Sequence, residues 1–231
     1  MNNYEYVSDV SGNRFLSKVY MWMFLGMLLT AVASYAVMSS ASLQATMFSI
    51  MWILIIIEFG IVIFLIWKIK SMSPSTAAAA YIFYSVASGI TLTPILTWYT
   101  EASIFLVFLI SSGMFIGMSL VGYFTKRDLS VYRRFFMMAL IGLIVAMIVN
   151  MLMWFISPAT ASTMSVLVSV VAVLLFAGLT AYDTQKIKRI GQSMEHGTPY
   201  SQNLAIICAL NLYLDFINLF IHMLRLFGQR R

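Results

Sequence analysis

Apolar runs of about 20 residues recur along this chain, and no other feature restricts its fold so tightly. They fall at 19–38, 45–67, 77–98, 103–124, 135–156, 162–182 and 204–227. Each is long enough to cross the hydrocarbon core of a bilayer, about 30 Å thick. Inside lipid a backbone has no water to bond, so a spanning segment is a helix or part of a closed barrel. The runs are continuous rather than alternating, which argues against a barrel. Composition agrees, because 61% of the 231 residues are hydrophobic and 10% are charged. A soluble domain of this size cannot hide that much apolar surface. The expected fold is all-α: one polytopic membrane domain over 1–231 with seven transmembrane helices, and 1–18 as an N-terminal tail.

The first run could be mistaken for a signal peptide. Arg14 and Lys18 precede it, and Ala31-Val32-Ala33 resembles a cleavage site. The run continues to Met38, longer than a signal core, and is read as a retained span. The one cysteine, Cys208, excludes an intrachain disulfide. No HExxH, Walker loop, GxSxG or cysteine pair is present, so neither an enzyme nor a cofactor is expected. The 18 methionines are scattered through the spans and read as flexible packing. A net charge of +6 without basic–aromatic interleaving outside the spans argues for membrane orientation rather than nucleic acid.

The basic residues alternate between loops. Arg14 and Lys18 lie in the tail, Lys68 and Lys70 after the second segment, Lys126, Arg127, Arg133 and Arg134 after the fourth, and Lys186, Lys188 and Arg189 after the sixth. The intervening loops hold none, and one carries Glu101. The positive-inside rule then puts the N-terminus in the cytoplasm. Arg225, Arg230 and Arg231 do not fit. Seven full spans put them outside, whereas a re-entrant seventh segment keeps them inside. Seven spans is the reading adopted, because about 24 residues suffice to cross.

Several smaller features punctuate the spans. Pro94, in "TLTP", should loosen the end of the third segment, with neighbouring threonines capping freed backbone groups. Gly113 and Gly117 form a GxxxG, read as a helix-packing surface. His196, between Gly191 and Gly197, reads as solvated loop.

Three acidic residues look intramembrane: Glu58, Asp183 and Asp215. A charge at the bilayer centre costs at least about 2.5–3.5 kcal/mol, so such residues face a bundle interior or a cavity. On the seventh segment Asn211, Asp215, Asn218, His222 and Arg225 recur at helical spacing and share one stripe. A helix apolar on its other faces, with one polar seam, is surrounded by helices. Packing alone could explain such a seam. Asp183, where apolar sequence gives way to basic, can equally be an interfacial carboxylate beside Lys186 and Lys188. Glu58, among isoleucines, is read as inward-facing.

The stretches "GLTAYDTQKIKRI" and "ALNLYLDFINLFIHMLRLFG" resemble the Bax inhibitor family, also called the transmembrane BAX inhibitor motif family, in its bacterial inner-membrane branch. The likeness extends to "FLSKVYMWMFLGMLLTA", "SVASGITLTPI" and "GMFIGMSLVGYFTKRDLS". It implies a seven-helix bundle with the C-terminal helix central and wrapped by the other six. It also implies a pH-sensitive calcium leak, with Asp183 and Asp215 as the proton sensor and calcium as the transported ion. Asp183, Asp215 and Glu58 would then touch calcium in passing. A basic residue of the second helix would latch the sixth-helix aspartate. Lys68 and Lys70 are the candidates, and either makes a weaker latch than the usual arginine. Glu58 with Arg225 is a further expected pair.

Two carboxyls within hydrogen-bond range share a proton and titrate together. Their meeting is not assured here. Asp215 lies roughly 18 Å into its segment at 1.5 Å per residue, and Asp183 sits near the apparent edge of its own. A separation beyond about 10 Å would leave two independent sites. Calcium is a hard cation that takes oxygen ligands, and these carboxylates are the anionic oxygens along a central path. Expected partners are the lipid bilayer, calcium ions, protons and other membrane proteins, with no nucleic acid. Two other functions compete for the same residues. One is a non-conducting regulator of a membrane protease or stress-response factor. The other is an intramembrane aspartyl protease, which Tyr182-Asp183 half matches; Leu212-Tyr213-Leu214-Asp215 lacks the glycines of the second motif.

Overall fold

The computed structural model describes residues 3–68, 71–194 and 197–231, with side chains from residue 11 onward. Lys70 and His196 lie outside the described residues. The chain forms α1 (Asn3–Met38), α2 (Ala41–Ser49), α3 (Met51–Lys68), α4 (Pro74–Leu96), α5 (Glu101–Phe124), a 3-10 turn (Leu129–Tyr132), α6 (Arg133–Ile156), α7 (Pro158–Ser193) and α8 (Pro199–Phe227). Among the described residues seven helices are long and apolar enough to cross a membrane, and this is an all-α membrane protein.

Capping chemistry sets most boundaries. Ser73 accepts from Thr76 N ahead of Pro74, which needs no N–H at the first helical position. Thr100 accepts from Ser103 N at the start of α5. Asp128 accepts from Ser130 N before α6. The second segment differs from expectation: it divides at Ile50 (φ −104°, ψ 6°) into α2 and α3. Thr46 and Ser49 spend their hydroxyls on the carbonyls of Ser42 and Thr46, and such back-bonding bends helices. Pro94 lies inside α4, which ends two residues later. Thr93 does bond back, but to Gly89 O. The carbonyl that Pro94 leaves without its N–H donor is that of Ile90.

The chain divides into two compact units. The first is Met1–Trp98 with Ile187–Tyr213. Here α4 packs along α1 and α3. Thr30 Oγ1 lies 2.7 Å from Tyr213 OH. Tyr213 also packs edge-on against Tyr81 and Tyr84. Gly191 is not loop: it lies in α7, where a Cβ would meet Phe15 and Gly12 of α1.

The second unit is Tyr99–Lys186 with Leu214–Arg231. Phe108 and Phe115 of α5 pack on Phe216 of α8, each with ring centroids 5.6 Å apart. At Gly122 the α5 backbone meets α7 so closely that a Cβ would fall 2.1 Å from Ala181 O. Gly113 and Gly117 are exposed, with nothing within 4 Å of where a Cβ would stand. The helix-packing surface read into that GxxxG is therefore absent among the described residues; the close approach is one helical turn on, at Gly122.

The tail after α8 finds its partners on α5. Gln229 O accepts from Thr100 N at 3.1 Å, and Gln229 N donates to Ser103 Oγ at 2.9 Å. Arg231 pairs with Glu101 at 3.5 Å. The tail is thus fastened to the start of α5. At the far end of α5, Gln185 of α7 holds residues 127–129. Of α8, residues 214–227 belong to this unit, and the helix is long and apolar enough to cross a membrane. Glu101 gives the displaced basic tail a partner. α8 is also the most buried span: 61% of its most apolar window is covered, against 6% for α3.

Candidate functional site: a carboxyl pair on the last two helices

Asp183 on α7 and Asp215 on α8 meet. Both belong to the second unit, and their carboxyls lie within hydrogen-bond reach of each other. Two carboxylates offer only acceptors, so a bond between them would require a proton on one. Helix length explains how they reach each other. Hydropathy ends the sixth segment at 182, because Lys186, Lys188 and Arg189 follow. The helix itself continues to Ser193, so Asp183 lies well inside it.

The two acids differ in surroundings. Asp215 is 6% exposed, and its Oδ2 has no hydrogen-bond partner. The Asp183 side chain is 14% exposed, and its Oδ1 lies 3.8 Å from Lys186 Nζ. Lys186 Nζ in turn stands 5.9 Å from the centre of the Tyr182 ring. The interfacial pairing with Lys186 is therefore present together with the acid–acid contact. Lys186 is half in water, so the pair with Asp183 contributes at most about 1 kcal/mol.

Other residues fix this corner. Gln185 uses both ends of its amide: Oε1 accepts from Leu129 N and Nε2 donates to Arg127 O, each at 2.8 Å. Nothing in the sequence marks Gln185 as a clamp. Phe136 of α6 lies over Gly178 and packs on Tyr182 at 5.7 Å between ring centroids. The i,i+3 spacing of Asp183 and Lys186 was the visible signal for their ion pair.

The remaining candidates have surroundings of their own. Glu58 is half-buried in the first unit and accepts a hydrogen bond from Thr91 Oγ1 at 2.8 Å. Arg225, its expected partner, is a half-buried residue of the second unit. Lys68 closes α3, exposed, in the first unit. On the seam of α8, Asn211 and Asn218 are half-buried, and Asn218 donates to Leu214 O of its own helix at 2.8 Å. His222 is 1% exposed, 3.1 Å from Ser169 Oγ and stacked on Phe176. That is a packed core histidine. Among the described residues no cluster of three or more His, Cys, Asp or Glu could hold a metal ion.

Fold and site together define a polytopic helical membrane protein with two neighbouring carboxyls on its last two spans. The chain belongs to the Bax inhibitor family: the family profile described as "Inhibitor of apoptosis-promoting Bax1" matches residues 12–231. The inner membrane protein YbhL of Escherichia coli K12 is 42% identical over 221 residues, covering 94% of this chain and 92% of its own. A protein of Borreliella burgdorferi is 38% identical over 222 residues, covering 95% and 93%.

Proposed function

We propose that this chain is a calcium leak pathway of the bacterial inner membrane, gated by protonation of the Asp183–Asp215 pair. The carrying observation is the close approach of the two carboxyls, with Asp215 buried and Asp183 reaching a cation. The inner-membrane location draws on YbhL, described as an inner membrane protein. A cytoplasmic N-terminus draws on the alternation of basic loops.

With one shared proton the pair clasps α7 to α8. A second proton neutralises Asp183, removes its attraction to Lys186 and abolishes the charge-assisted acid–acid bond. The corner held by Gln185 then loosens, and a path past Asp215 opens. Calcium, as cargo, meets carboxyl oxygens there and keeps most of its water. Acidification therefore increases flux. Purified protein in liposomes loaded with a calcium indicator tests this. Faster entry at pH 6 than at pH 8 supports the reading. No entry above empty liposomes at either pH overturns it and favours a non-conducting regulator.

A further inference from the structure

The buried face of α5 reads Ser103, Val107, Ser111, Phe115, Ser119, Gly122. Ser103 is bonded to Gln229 N. Ser111 and Ser119 are 0% and 8% exposed, yet neither hydroxyl has a hydrogen-bond partner. Other buried hydroxyls of the spans behave differently: Ser85, Thr93 and Thr180 each bond the carbonyl four residues back. That bond lies within easy reach of any helical serine. Two hydroxyls that decline it, inside an apolar interface, are left for a ligand from outside the protein. Between them Phe115 packs edge-on against Phe216, the residue after Asp215. Asp215 Oδ2 is a third buried oxygen with no partner in the same unit.

We propose that hydrated divalent cations move along the α5–α8 face of this unit, with Ser119 and Ser111 as oxygen stations on either side of a Phe115–Phe216 seal. The inference rests on the leak reading above and names its route. Eight residues of helix separate the serines by about 12 Å, so they serve successive positions rather than one ion. Calcium takes six to eight oxygens, and a hydroxyl supplies one, so the ion keeps most of its shell. The aromatic edges stop water, and apolar constrictions of this kind close by dewetting. Because Phe216 adjoins Asp215 on the same turn of α8, movement at the carboxyl pair is passed to the seal.

Cysteine accessibility tests the route independently of calcium. Ser111→Cys, Ser119→Cys and the exposed-face control Ile116→Cys are made in a Cys208→Ala chain. Monodisperse elution in detergent verifies folding. Each is reconstituted and treated with a membrane-impermeant cationic methanethiosulfonate. The expected result is modification of both serine variants about tenfold faster than the control, with Phe115→Ala further speeding the variant behind the seal. Both variants reacting no faster than Ile116→Cys, at pH 6 and pH 8 and with Phe115→Ala, overturns the route even where calcium leaks. Fast modification in protein that passes no calcium upholds a wetted route and overturns calcium as its cargo.

Discussion

Replacing Gly122 by alanine puts a methyl group where α5 and α7 touch, two residues before Asp183. The new Cβ would fall 2.1 Å from Ala181 O and 2.8 Å from its carbonyl carbon. Carbon–oxygen contacts settle near about 3.3 Å, so the helices would have to part by about 1 Å. Overpacking of this kind costs about 1–3 kcal/mol. The substitution also gains up to about 1 kcal/mol of helix propensity. Gly117→Ala, five residues earlier on the same helix, has nothing within 4 Å and gains the propensity alone. Propensity therefore cancels between the two variants, and their difference isolates the contact, at about 1–3 kcal/mol. The single buried Cys208 supplies the assay: heating in detergent exposes it to a fluorogenic maleimide. Gly122→Ala should react at a lower temperature than the parent chain, and Gly117→Ala at the same or a higher one. Coincident midpoints for the two variants would refute the close crossing.

Tyr213→Phe removes the 2.7 Å contact to Thr30 Oγ1, which keeps the Gly26 and Ser85 carbonyls at 2.9 Å, and Thr30→Val removes the same contact from the other side; each should destabilise by about 0.5–1.5 kcal/mol. The double variant should lose less than the sum, measured by the same Cys208 assay. Gln185→Leu removes both 2.8 Å bonds to residues 127–129, so limited trypsin cleavage after Arg127 should rise several-fold in rate. His222→Gln should leave the pH midpoint of calcium flux unchanged, because the ring is held by Ser169 and Phe176 rather than by the carboxyl pair.

Hydropathy made the spans legible, because lipid demands long apolar helices and little else does. It misplaced the end of α7. Lys186, Lys188 and Arg189 end the apolar run, but a helix need not stop where its sequence turns basic, and this one continues to Ser193. That extension is what seats Asp183 inside a helix, and it settles the question of whether the two acids can meet. The break at Ile50 was invisible, since hydroxyl back-bonding by Thr46 and Ser49 depends on rotamers rather than residue type. Glycine spacing misled: Gly113 and Gly117 match a packing motif, yet Gly122 makes the contact, because which face meets a neighbour is a tertiary fact. Asp183 and Asp215 could be singled out because a carboxylate in an apolar helix is costly enough to require a purpose. Gln185 could not, because an amide at a helix end is unremarkable until the strand of loop it holds is known.

Calcium entry into proteoliposomes, followed from pH 8 to pH 5.5 for the parent chain, Asp183→Asn and Asp215→Asn, measures the gate itself. A shared proton requires both acids, so each asparagine variant should lose the acid-induced rise and leak at a rate that no longer depends on pH. A rise of the same size and midpoint in either variant would contradict proton sharing as the switch.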